Sequence, residues 1–501
     1  MTDASPRRPV LAGIATCHDD VDVLELLVRA ARAAGEDAAG ASADDLLGRV
    51  GRIAVTRGSW ALTNPAQHVG RAIGATHATT VLVEIGIPQQ TVIDEAMAAI
   101  AAGEIDVALV LGGEAKAHDA RQKERSTKAD AAGIADVFRA QDERAGDYDP
   151  PHIHQIPQGD LVDAAELTAG LWAPVEQYAL IENALGAAEG RTPDELRAEV
   201  SALYDRFNAV AAVNPDAAFP ARRTADELAE FAPGNRPLAF PYAKWHATQW
   251  TVDQSAALLL CSTAVADEFG VSEQQRVHPI VGVSSSHILP LSQRADMHRW
   301  PAMEVLGRAT EKRLGRPVAD CDLHELYSCF PVAVRVQQRE LGLPLDGTPT
   351  ITGGMAFAGG PFNNFVFQAT VAMARRLRNE GGTGAVTSVS GLLTKPGLGV
   401  WAAESDGEEP LIADLADEVA AATGAVPVVL EHDGEATIAS YTVTFDGQEP
   451  TEVIVLVDTP DGSRSIGRSS DAATIERAMT EGLVGRRVRG QLPAGWAVSP
   501  D

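Results

Sequence analysis

At 501 residues the chain is too long for one ordinary hydrophobic core, so two or three folding units are expected. Its 69 acidic and 41 basic residues give a formal charge of -28, which argues against nucleic acid or an anionic membrane as the main partner. Four cysteines, Cys17, Cys261, Cys321 and Cys329, form neither a disulfide framework nor a zinc pattern, and no apolar run reaches signal or membrane-spanning length, which together fit a cytoplasmic protein.

In chain order, residues 10–15 read as a buried strand and 21–34 as a helix with apolar residues at helical spacing. Short apolar runs at 52–56 and 79–85 precede a helix at 91–102 and the strand 106–111. Strands apolar on both faces, alternating with helices, predict a parallel or mixed sheet covered on both sides. From about 116 to 246 the rhythm becomes charged and irregular, with RQKERSTKAD and DYDPPHIHQIPQGD. Within it Thr192-Pro193-Asp194-Glu195 is a capping box, and Leu196, Val200, Leu203, Phe207 and Val210 form the stripe of the helix it opens. His152 and His154 are half of a metal pattern with no clear third ligand, so no metal site is assigned.

Strands resume at 255–260 and 280–284, followed by a helix at 301–314, a strand at 321–326 and a helix at 331–341. The stretch between the last two, Tyr327-Ser328-Cys329-Phe330-Pro331, puts small reactive side chains at a helix N-terminus, where negative charge is favoured. Next, Gly353, Gly354, Gly359 and Gly360 crowd around Pro361 ahead of a helix at 362–378, which implies a sharply turning backbone. Strands at 384–390 and 397–402 follow, and the acidic turn SDGEEP at 405–410 marks a boundary. Beyond it a short helix is predicted at 411–422. Then Ala439, Tyr441, Val443 and Phe445 alternate with polar residues, which predicts a small closed antiparallel barrel. Arg486, Arg487 and Arg489 read as a solvated strand face.

The loops at 327–330 and 353–361 resemble the HDCF and GGxxxxGHP active-site motifs of thiolases, in particular the sterol-carrier-protein type, with both histidines replaced. Counting back from Gly112-Gly113-Glu114, the family's nucleophilic cysteine falls on Gly86. GLWAPVEQYALIENAL and VDQSAALLL are similar to stretches of thiolase-like proteins labelled acetyl-CoA acetyltransferase. The resemblance implies a thiolase fold of duplicated halves layered α/β/α/β/α at 1–408, a loop domain at about 115–250 covering the pocket, and an additional C-terminal domain at 409–501. It implies a coenzyme A thioester as ligand, no required cofactor, and a monomer or homodimer.

Thioester condensation needs a thiolate, a base, a second acid/base and oxyanion donors. The resemblance puts these roles on Gly86, Gly360, Cys329 and Tyr327, so ordinary thiolase activity is not expected. Cys329 and Tyr327 are the catalytic candidates, although a packed thiol and a core aromatic are the plain readings. His324 faces away from Tyr327 on the preceding strand. Gly86, Ser328, Gly354, Gly359, Gly360 and Asn363 mark the expected pocket, with Asn364 beside them to cap or bind. Ser388 and Ser390 stand where many thiolases carry a cysteine. Three functions follow: an acyl-CoA-related protein without thiolase chemistry, retro-aldol cleavage of a β-hydroxyacyl-CoA through Tyr327, or a non-catalytic binder or assembly subunit.

Overall fold

The computed structural model describes residues 6–126 and 148–499, so part of the charged insertion, between 127 and 147, lies outside the described residues. Strands β1 (Pro9–Cys17), β2 (Arg52–Thr56), β3 (Thr79–Val83), β4 (Val107–Ala115), β5 (Ile153–Gln155) and, after two short strands β6 (Pro237–Ala239) and β7 (Tyr242–Ala243), β8 (Asp253–Ser262) supply the first sheet. Its order is β1-β8-β4-β2-β3-β5, parallel from β4 through β5 and antiparallel where β8 joins β1 and β4. The second sheet runs β10-β11-β12-β9-β13, from β9 (His278–Ser284), β10 (Leu323–Glu325), β11 (Thr383–Ser390), β12 (Lys395–Ala402) and β13 (Leu411–Asp414).

Between the sheets lie two helices, Gln89–Ala102 and Phe365–Glu380, each touching both. Val92, Ile93, Ala96, Met97 and Ile100 of the first are buried, as a helix between two sheets must be apolar nearly all round. It comes close because the second sheet is glycine there: a side chain at Gly282 would strike Asp94 and Met97, and one at Gly399 would strike Gln90. Helices Val23–Ala39 and Pro65–Ala72 cover the outer face of the first sheet around Val10, Leu27, Ile53 and Leu109. Pro301–Leu314 covers the second. The expected five layers are therefore present.

The 411–422 stretch, read as one helix, is instead β13, parallel to β9, followed by helix Ala416–Ala422. Leu411 and Ile412 pack on the main core, and period alone does not separate a four-residue strand from a short helix. The third sheet begins only at β14 (His432–Asp446), with β15 (Glu449–Asp458), β16 (Arg464–Ser469), β17 (Arg487–Leu492) and β18 (Trp496–Val498) in the order β16-β15-β14-β17-β18. It is antiparallel as expected, but among the described residues no ladder closes it. Its edges are stitched by Arg468 N–H to the Pro493 carbonyl at 2.9 Å and the Trp496 indole to the Arg468 carbonyl at 2.9 Å. Pro493 has no N–H with which to extend that pairing. Nor is this sheet set apart. Ile454, Leu456 and Ile466 belong to the main core, and Ala239 of the insertion's β6 pairs with Thr444 of β14.

Helix Pro174–Ala188 joins these parts, with every residue from Gln177 to Gly186 buried. On one side Asn183 donates to the Tyr441 carbonyl at 2.9 Å, and Ser440 donates to the Leu180 carbonyl at 2.5 Å. On another, Glu182 pairs with Arg335 of helix Pro331–Glu340 and accepts the Tyr242 hydroxyl at 2.8 Å. Arg335 also meets Glu189 at 2.8 Å and Glu199 at 3.0 Å. Glu182→Ala would take the acceptor from Arg335 Nη1 and from the buried Tyr242 hydroxyl, leaving Arg335 Nη2 on Glu189 and Glu199, and is expected to cost about 1–3 kcal/mol. A lowered midpoint in chemical denaturation checks this, and a loss under about 1 kcal/mol would contradict it.

Candidate functional site

Four segments converge at one end of the two central helices. The loop after β3 begins at Glu84, whose N–H donates to the Gln155 carbonyl at 2.9 Å, and leads into helix Gln89–Ala102. Gly86 sits at φ +102°, where a side chain is strained, and its missing Cβ would touch Pro157 at 2.9 Å. The space at Gly86, where the resemblance puts a nucleophile, is thus closed by the 155–161 loop.

The Tyr327–Phe330 segment is held on both sides. Tyr327 N–H donates to Thr387 Oγ1 at 2.8 Å, and Ser328 Oγ, fully buried, accepts Met355 N–H at 3.0 Å. The Tyr204 hydroxyl donates to the Ser328 carbonyl at 3.0 Å, and Thr248 N–H to the Cys329 carbonyl at 3.1 Å. Before this segment Glu325, buried at the end of β10, accepts Ile351 N–H at 2.6 Å, Thr352 N–H at 2.9 Å and the hydroxyls of Thr350 and Thr352. That carboxyl ties the strand to the stem of the glycine loop.

The glycines at 353–360 are required by protein packing. A side chain at Gly353 would strike Ala211, one at Gly354 would meet Phe207 at 2.6 Å and Ser328 Oγ at 2.9 Å, and one at Gly359 would strike Gln254. At Gly360, the histidine position of the resembled motif, Thr248 occupies the side chain's place. These glycines let the loop bury itself under helix Pro193–Ala211 and β8.

Beyond the loop, Asn363 adopts φ +54° and its Oδ1 accepts Gln89 Nε2 at 3.4 Å, while Gln89 Oε1 accepts Val366 N–H at 2.8 Å. Asn364 flanks the start of helix Phe365–Glu380 but makes no side-chain cap. It is fully buried, and neither its Nδ2 nor its Oδ1 has a protein partner. A side chain at Gly112 would meet Asn364 Oδ1 at 2.6 Å and also strike Thr56 Oγ1, so these two atoms are neighbours. One at Gly397 would likewise strike Gln90 and Ser388. Thr56 Oγ1, Asn363 Nδ2, both polar atoms of Asn364, Gln90 Oε1 and Ser388 Oγ all lack partners. Thr56 with Asn364, and Gln90 with Ser388, thus form two groups of buried polar atoms without a partner in the protein, where such atoms are nearly always paired.

Neither loop candidate, Cys329 or Tyr327, is ionised at neutral pH. Burial pushes the Cys329 thiol up to about 12, with the Tyr178 hydroxyl as its hydrogen-bonding neighbour. Burial also raises the half-buried Tyr327 phenol above its usual range. Tyr178 stacks on Phe330 at 4.5 Å, and Tyr327 meets Phe365 edge-on at 6.0 Å. His246, near Tyr204, is driven down to about 3 by burial and stays neutral. His324 binds the Val318 carbonyl at 2.9 Å. His152 Nδ1 accepts Thr80 N–H at 3.0 Å and His154 pairs with Glu84 at 2.6 Å, so each has its own partner.

Sequence reasoning missed Gln89, Gln90, Thr56 and Tyr178. The amide pair follows Pro88 at a helix start, which was a visible signal; Thr56 and Tyr178 reach the site only through the folded topology. Lys395 was missed too. It is the ladder partner of Ser390, is 2% exposed, and burial lowers its ammonium to about 8.

Among known families, the additional C-terminal domain of thiolase-like protein type 1 matches residues 414–491. A monomeric SCP2-thiolase-like protein type 1 from Mycobacterium smegmatis is 26% identical, covering 99% of this chain and 100% of that one, with a TM-score of 0.81. The Ltp2-ChsH2(DUF35) aldolase is 18% identical over 80% of this chain and 99% of that one, TM-score 0.55. An acetyl-CoA acetyltransferase from Syntrophomonas wolfei is 18% identical over 79% and 99%, TM-score 0.54. No curated protein matches the chain in sequence.

Burial raises Glu325 from an ordinary 4.5 to about 7, and Glu114, near Ser59, likewise. A raised carboxyl pKa gives stability that is complete below the unfolded value and lost as pH climbs through the folded one. Buried His246, held neutral, adds the opposite slope below about pH 6.5, so the carboxyl contribution is read against Glu325→Gln, which is neutral throughout. The thermal midpoint of the parent relative to that variant is expected to fall from about pH 5 to about pH 8. A difference that rises over this range would contradict the assignment.

Proposed function

Since the chain belongs to the thiolase superfamily as a type 1 thiolase-like protein, we propose that it binds coenzyme A thioesters without performing thiolase chemistry. The observation that carries this reading is the set of unpartnered polar atoms on Thr56, Asn363, Asn364, Gln90 and Ser388. In this reading the two asparagine amides receive the thioester oxygen and the amides of the ligand's arm. The nucleophile and base positions hold Gly86 and Gly360, whose side-chain spaces are taken by Pro157 and Thr248. Cys329, with its pKa near 12, is a packing residue that sets the Tyr178 hydroxyl. A second reading, retro-aldol cleavage of a β-hydroxyacyl-CoA, is favoured by the hydroxyls of Tyr178 and Tyr327 beside Cys329. An aldolase assembly shares the fold, and here a β domain is fused to the chain.

Calorimetry with acetyl-CoA, longer acyl-CoAs and free CoA tests the binding reading. Asn364→Leu, which removes two unpaired polar atoms, is expected to weaken thioester affinity several-fold or more while leaving folding intact. Absence of binding at about millimolar ligand, an affinity worth only about 4 kcal/mol, would remove the proposal.

Acetoacetyl-CoA thiolysis is expected at background, and Gly86→Cys with Gly360→His should not restore it, because both new side chains meet occupied space. On a β-hydroxyacyl-CoA, Tyr327→Phe separates the readings. Lost cleavage at unchanged affinity supports the aldolase, whereas absent cleavage by the parent protein excludes it.

A further inference from the structure

On the other side of the β11–β12 turn from Tyr178, a small cleft opens between residues 287–302, that turn and helix Ala416–Ala422. Leu289, Leu393 and Val419 give it apolar walls, and Arg294 and Trp300 are also part of the wall. Arg294 is 5% exposed and Trp300 3%. Arg294 Nε donates to the Leu289 carbonyl at 3.4 Å and Nη2 to the Leu392 carbonyl, both neutral acceptors. Among the described residues no carboxylate pairs with it. Glu166, the carboxyl whose charge acts on it, spends its oxygens on Ser292 N–H at 2.7 Å and Asp163 N–H at 2.8 Å. Arg294 Nη1 and Trp300 Nε1 are both buried donors without a partner.

A buried guanidinium normally has a counter-charge, because leaving it alone costs several kcal/mol. Burial lowers this one only to about 10, so it remains a cation at neutral pH. The 14-residue helix Pro301–Leu314 starts at this wall with Pro301 and Ala302, has no side-chain cap, and adds the positive end of its dipole. We propose that this cleft is a carboxylate site, taking a short-chain monocarboxylate whose oxygens meet Arg294 Nη1 and Trp300 Nε1 and whose alkyl group lies against Leu289, Leu393 and Val419. Two N–H donors match the two oxygens of a carboxylate. The Asp296 carboxyl in the same wall, and Glu340 bound to Arg299 at its rim, disfavour a phosphate dianion. The assignment is independent of the thioester reading.

The test is calorimetry of the full chain at neutral pH with butyrate, and with inorganic phosphate as the second probe. Saturable one-to-one butyrate binding is expected, with phosphate much weaker. Trp300→Phe keeps the ring and removes only the free N–H, so it should fold normally and weaken butyrate about tenfold. Arg294→Lys keeps the charge but loses the fork, and should weaken it as well. Absence of saturable butyrate binding, equal affinity in Trp300→Phe, or phosphate binding as tightly as butyrate would each overturn the proposal.

Discussion

The buried pair between Glu182 and Arg335 is the constraint on which the candidate site depends. Arg335 stands one turn into the helix that follows Phe330, and Glu182 one turn beyond Tyr178. Their contact fixes the register of two helices from different parts of the chain, and that register stacks Tyr178 on Phe330. Glu189 and Glu199 extend the arrangement to the capping-box helix, whose Phe207 and Ala211 roof the glycine loop. An apolar replacement of the whole cluster could be equally stable, but losing Arg335 alone leaves the fully buried Glu182 without its counter-charge.

The chemistry at the site follows from dryness. A thiolate or phenolate is formed where water, a cation or a helix dipole stabilises it. Around Cys329 and Tyr327 the walls are aromatic rings and packed glycines, so both groups hold their protons. Much of what stays polar is uncharged: asparagine, glutamine, threonine and serine, a set that can orient carbonyls and amides.

Much of this was legible in the sequence. Continuous apolar strands alternating with helices declared the sheets, and the YSCF and double-glycine segments marked loops that the fold does bring together. The reason no side chain fits at Gly86, in the loop after β3, was not legible, since Pro157 arrives from seventy residues away. The short β13 lacked any periodic signal, because its identity comes from β9. The open form of the third sheet was hidden for a related reason: alternation specifies faces, while closure depends on what the two edges meet. The unpaired atoms of Asn364 and Arg294 belong to no motif, as being without a partner is a property of surroundings.

The pairing of Ala239 with Thr444 joins positions roughly 200 residues apart and makes the C-terminal sheet part of the insertion's own structure. A chain made from its N-terminus at about 5–20 residues per second therefore spends about ten to forty seconds with β6 and the buried face of helix Pro174–Ala188 uncovered. During that interval Leu180, Asn183 and Phe240 lack the strands that later cover them. Covering of this surface thus waits for the strands that begin at His432, and a product interrupted before them would carry an open apolar face where the folded molecule has its centre.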